Sequence, residues 1–151
     1  MSAVIGVDPG VHGGIAVLDR LGAVIHVQGF APTWTERELD RAIGIAVEHL
    51  ILAGGGPAFF EKVGYMPSDG GQGAFTFGQV CGLLKGMLLA RGILICPVAP
   101  ALWQARLDCM SGGNKNVTKN KAKELFPGVP KITHAIADAL LIAEFGRRST
   151  C

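Results

Sequence analysis

The chain has 151 residues, 49% of them apolar and 17% charged, with a formal net charge of +2. That length suits one domain with a single core, spanning residues 1–151, and the apolar content excludes a disordered chain. No uninterrupted apolar run reaches membrane-spanning length, Asp8 stands too early for a secretory signal, and the four cysteines form no Cys-x-x-Cys pair. Cys81, Cys96, Cys109 and Cys151 therefore read as reduced thiols of a cytoplasmic protein with no membrane partner.

The apolar segments 3–8, 14–19 and 22–28 predict an antiparallel meander, with Leu21-Gly22 turning the last two. Val4, Ile5 and Val7 have the β-branched character of a strand buried on both faces, and the run stops at a carboxylate, Asp8. Pro9-Gly10 and Gly13-Gly14 turn the backbone there. Asp-Pro-Gly also caps ordinary turns, so Asp8 by itself is equally a turn residue or a ligand. Residues 35–53 predict a helix on the spacing of Leu39, Ile43, Val47 and Leu50, ended by Gly54-Gly55-Gly56-Pro57. Ala58-Phe59-Phe60 predicts a short strand that runs into Glu61. A helical crossover makes this strand parallel to the first. Asp8 and Glu61 then fall at the same C-terminal sheet edge, where open α/β sheets place their sites.

The glycine-rich segment 64–73 reads as a loop carrying Tyr65 and Met66, which could stack on nucleic acid bases or tuck into the core. A helix follows over 75–91, with Phe77, Val80, Cys81, Leu84 and Leu88 as its apolar stripe. Gly78, Gly82 and Gly86 repeat on another face and predict close approach of a second backbone, from this chain's own sheet or from a partner helix. Ile93-Leu94-Ile95 predicts a strand ended by Pro97, and 100–107 a short segment. Residues 108–131 are the basic region. Lys115, Lys119, Lys121, Lys123 and Lys131 stand there against Asp108 and Glu124, which points to phosphate contact. The last helix, 133–146, is apolar nearly all round apart from His134 and Asp138, one turn apart. A lone aspartate among Ala, Leu and Ile is costly unless it is paired or binds a cation.

Asp8, Glu61 and Asp138 thus stand on three apolar elements. Convergent carboxylates suit hard divalent cations. Magnesium takes oxygen ligands, and two ions about 4 Å apart can activate a water and stabilise the leaving oxygen in phosphodiester cleavage. No Gly-x-Ser-x-Gly elbow and no Walker loop competes with that chemistry.

Gly6-Val7-Asp8-Pro9-Gly10, Glu61 after its apolar strand, Phe77-Gly78-Gln79 and Ala137-Asp138-Ala139-Leu140-Leu141-Ile142-Ala143 resemble, in order and spacing, the RuvC family of Holliday junction resolvases. The small phage-borne branch is the most similar, and the resemblance covers almost the whole chain. It implies an α/β, RNase H-like fold: a five-stranded mixed sheet, three antiparallel strands then two parallel, flanked by helices. It also implies a homodimer that binds a four-way DNA junction and nicks two symmetric strands with Mg2+, for which Mn2+ substitutes. Asp8, Glu61 and Asp138 would be its catalytic metal ligands. Lys115, Lys119, Lys121, Lys123, Tyr65 and Met66 would meet the DNA. The family commonly has a second acid or a histidine three residues before the final aspartate. Here that residue is Ala135, and His134, one position earlier, is the candidate fourth catalytic and metal ligand. The family also often has a lysine after the Trp103 position, where this chain has Gln104. An actin-like sugar kinase shares the opening Asp-x-Gly but is a much longer protein. A YqgF-type RNA-processing nuclease, or a branched-DNA binding protein weakened at Ala135, fits this length.

Overall fold

The computed structural model describes residues 2–64 and 70–149. The first three strands, β1 (Val4–Asp8), β2 (Gly14–Leu18) and β3 (Val24–Gly29), form the antiparallel meander. Asp19 closes the second turn: its Oδ1 accepts the backbone N–H groups of Leu21 and Ala23 at 2.8 and 2.9 Å. Gly22 takes the positive φ of 93° between them. Helix α1 (Glu36–Leu52) starts in a capping box formed by Thr35 and Glu38, and leads to β4 (Ala58–Glu61), which pairs parallel with β1. The sheet order is β3-β2-β1-β4-β5, with β5 (Ile95–Val98) parallel to β4. The five-stranded mixed sheet is therefore as expected, but β5 is displaced. It runs through Pro97 instead of ending before it, which an edge strand tolerates because one row of its N–H groups has no ladder partner.

Side-chain alternation assigns each strand two faces. Ile5, Val7, Ile15, Val17, Ala58 and Phe60 pack with Leu39, Ile43, Val47 and Leu50 of α1 and with Leu84 and Leu88 of helix α2 (Gly70–Ala90). Val4, Ala16, Leu18, Phe59 and Val98 pack on the other side. Their partners there come from helices α3 (Pro100–Arg106), α4 (Lys115–Leu125) and α5 (His134–Arg147). By the same period, Asp8 follows Val4 and Gly6, and Glu61 follows Phe59. Both carboxylates therefore fall on the face that α5 covers.

Close approach of a helix to glycine backbone occurs at other positions, under α5. A Cβ at Gly6 would fall on the backbone of Ala139 and Ala143, and one at Gly14 on the carbonyl of Ala135. A Cβ at Gly29 would stand 3.0 Å from the Ala135 Cβ. Ala135, Ala139 and Ala143, spaced by four, thus seat α5 on glycine notches in three strands. Gly78, Gly82 and Gly86 differ: a Cβ at any of them would meet nothing within 4 Å. The alternative in which this chain's own sheet packs there is excluded.

Helix α2 starts at Gly70, five residues before the expected start, because the modest helix penalty of glycine does not stop a turn from forming. Among its described side chains only Cys81, Leu84 and Leu88 are buried, while Phe75, Leu83 and Leu89 are exposed. Its 21 residues, with a window of 18 at a mean hydropathy of 1.3, are long and apolar enough to cross a membrane by length and composition alone. Glycines and Lys85 break the apolar run without ending the helix, so no uninterrupted apolar run spans it. The cysteine reading changes too. Cys81 and Cys109 are buried free thiols, whereas Cys96 is disulfide-bonded. Distance along the sequence says little about which sulfurs the fold brings together.

Candidate active site

The site lies at the C-terminal edge of the two central parallel strands. Val7 pairs with Phe60, so Asp8 and Glu61, the next residue of each strand, end side by side. The turn after β1 holds Asp8 by a hydrogen bond from the Gly10 N–H to Oδ1, at 3.3 Å. Glu61 is held from the opposite side. The fully buried Trp103 of α3 donates its indole N–H to Glu61 Oε1 at 2.9 Å. Asp138 stands one turn into α5, and its Oδ1 is buried with no hydrogen-bond partner.

Proximity shows in the acidities. Burial, then the charge of Asp138, push the Asp8 carboxyl up to about 6. Burial, then Asp8, push Glu61 up to about 7, against the downward pull of the Trp103 hydrogen bond. Burial also raises Asp138, while the Thr118 hydroxyl, Lys115 and His134 pull it back. Three acids that resist ionisation together form a site short of positive charge.

Lys115, the first residue of α4, is the cation that all three carboxylates feel. Of the other predicted lysines, Lys119 stands one turn further along the same face, and Lys123 is exposed one turn beyond it. Lys121 turns away and pairs with Glu124 at 3.1 Å. His134 is exposed at the start of α5 and close enough to Asp138 to pull its pKa down. Ala135 packs against the sheet glycines, so its small size has a structural cause. Tyr65 and Met66 lie outside the described residues. Sequence reasoning missed two supporting residues, Trp103 and Thr118. Thr118 was traceable as the residue three after Lys115, on the same helical face.

The donor set suits a hard divalent cation. It offers carboxylate oxygens, one of them buried and unpartnered, with the pKa values of Asp8 and Glu61 raised by burial and then by the neighbouring acids. Among the described residues no three His, Cys, Asp or Glu side chains form a ready-made cage. The expected set of Asp8, Glu61, Asp138 and His134 therefore does not close around an ion by itself, and a magnesium ion held there would have to complete its shell with water and substrate phosphate.

Neither a protein-family model nor a curated protein matches the sequence. Solved structures do. Thermus thermophilus RuvC in complex with a Holliday junction substrate superposes with a TM-score of 0.67 at 21% identity, covering 98% of this chain and 96% of that one. A second Thermus thermophilus RuvC structure gives 0.67 at 20% identity, over 97% and 95% of the two chains. The yeast mitochondrial Holliday junction resolvase Ydc2 gives 0.57 at 18% identity, over 97% of this chain and 78% of that one. At these identities the likeness is one of fold: the chain has the RNase H-like fold of the RuvC Holliday junction resolvases along nearly its whole length.

Proposed function

We propose that this chain is a metal-dependent endonuclease that nicks four-way DNA junctions at symmetric positions as a homodimer. The observation that carries the reading is the convergence of Asp8, Glu61 and Asp138 at one sheet edge, facing Lys115. The fold shared with the junction-bound Thermus thermophilus RuvC supports the choice of substrate. Asp8, Glu61 and Asp138 would hold magnesium, with His134 beside Asp138, and the ion would lower the pKa of a bound water and offset charge on the leaving oxygen. The chain's own residues do the rest. The Gly10 N–H orients Asp8, and the Trp103 indole ties down Glu61 Oε1, leaving Oε2 as the oxygen that would reach the ion. Lys115, with Lys119 behind it, draws the phosphodiester toward an edge that would otherwise repel it.

Two nicks placed symmetrically need two sites, and α2 offers the surface for a twofold dimer. Its outer face is apolar, and Gly78, Gly82 and Gly86 allow close backbone contact. Leu84 and Leu88 anchor α2 in the sheet core, so crossing a bilayer would require tearing the helix off the domain.

The test compares four-way junction, linear duplex and structured RNA in binding and cleavage, with wild type and Asp8→Asn. Wild type should nick the junction alone, and Asp8→Asn should bind it without nicking. Cleavage of RNA instead would favour the RNA-processing reading. Binding without cleavage by wild type would leave a non-catalytic junction binder.

A further inference from the structure

At the same sheet edge as the acids, but on the face covered by α1 and α2, lies a cleft that the cleavage chemistry does not use. It has a volume of about 250 Å³ and opens between the β1–β2 turn, the segment before α1 and the first half of α2. Phe30 and Trp34 line it, their ring centroids 6.2 Å apart and tilted by 57°. Thr76 and Gln79 of α2 bring a hydroxyl and an amide to the same space, and Glu36 adds a carboxylate at the edge.

We infer that this cleft takes one unstacked nucleobase of the strand whose phosphate lies at Asp8. The inference rests on the nuclease reading above and extends it to a specificity site. Gly10 borders the cleft and also donates its N–H to Asp8, so the cleft begins two residues from the acid. Cys81, two residues beyond Gln79, also feels the charge of Asp8. A nucleotide with its phosphate at the acids therefore has its base within reach of the aromatic pair. The volume falls below the range usual for drug-sized ligands, about 300–1,000 Å³, and suits one planar ring system better than a helix from another protein. The Glu36 carboxylate opposes entry of a phosphate but accepts an N–H from a base, so the sugar–phosphate chain stays outside. Aromatic side chains stack on any base, while the Gln79 amide and the Thr76 hydroxyl can read an edge.

The test measures binding of the full-length protein without divalent cations, so it does not require cleavage. The DNAs are a four-way junction, a linear duplex and a single strand, each with one abasic residue moved along the nucleotides flanking the nick. At one position the abasic residue should cost wild type about tenfold in affinity and cost Trp34→Ala nothing, because stacking there is already lost. Trp34→Phe, which keeps an aromatic face, should follow wild type, and Gln79→Ala should flatten base preference at that position alone. If every abasic position affects wild type and Trp34→Ala alike, the cleft is not a base site. If Trp34→Ala changes the oligomeric state, a second copy covers the cleft and the inference falls. Equal affinity of wild type for junction and linear duplex would overturn the junction reading instead, and the abasic comparison would still report on the cleft.

Discussion

The charge deficit at the acids should be measurable as stability. In Asp8→Asn the carboxylate is replaced by a neutral amide of nearly the same shape. Asp8 has its pKa raised from 3.8 to about 6 by burial and by Asp138. The folded state therefore holds that proton more tightly than the unfolded chain does. The associated stability is fully present below about pH 4 and is lost as pH rises through about 6. A shift of about two units corresponds to about 3 kcal/mol, or about 2 once the part shared with Asp138 is discounted. For a domain of this size that is about 4–8 °C in melting temperature. Thermal denaturation in a chelating buffer should show wild type and Asp8→Asn melting together near pH 4. At pH 8 the variant should melt higher by that margin. Magnesium should raise wild type toward the variant, because the cation replaces the missing positive charge. Using the variant as the baseline matters because His26 also titrates: burial and His49 lower its pKa, so it costs stability on the acid side in both proteins. Parallel melting curves from pH 4 to 8 would refute the idea that the three acids share one desolvated site.

Four further outcomes follow from the geometry. Trp103→Phe keeps a ring in the core but removes the donor to Glu61, worth about 1.5–3 kcal/mol for a bond to a charged group. The acid limb of the pH–rate profile should move to higher pH, and an unmoved limb would mean the bond does not act on Glu61 during turnover. Lys115→Ala should lower the salt slope of DNA binding by about one, whereas Lys121→Ala should change it less because Glu124 already pairs with Lys121; equal slopes would contradict this division. Gly82→Leu should leave the monomer folded, since nothing packs against Gly82, yet weaken self-association in sedimentation. A variant that remains a full dimer would place the interface elsewhere. Ala135→Asp should lower the melting temperature through overpacking of about 1–3 kcal/mol against the Gly14 and Gly29 backbone, with no gain in cleavage. A more active variant would show that α5 can shift to make room for a new ligand.

Much of this protein was legible in one dimension. Alternation and turn chemistry specify the meander and the helical crossover to β4, and those two features place Asp8 and Glu61 at one edge. An aspartate in a helix of Ala, Leu and Ile marks Asp138 because desolvating a lone carboxylate is costly wherever the helix packs. Contacts between distant segments were not legible. Gly78, Gly82 and Gly86 and the trio Gly6, Gly14 and Gly29 are alike as residues, yet only the second set lies under another backbone. That difference depends on which face each helix turns to the sheet. Lys115 and Lys121 are the same side chain in one short helix. The 3.6-residue period, together with the packing of α4 on α5, directs the first at the acids and the second at Glu124. Trp103 carries no local sign of its bond to Glu61, 42 residues away in sequence. Local periodicity and desolvation cost can be read from residue order alone, whereas the partner of a given side chain is a long-range contact that exists only once the sheet and helices have closed on one another.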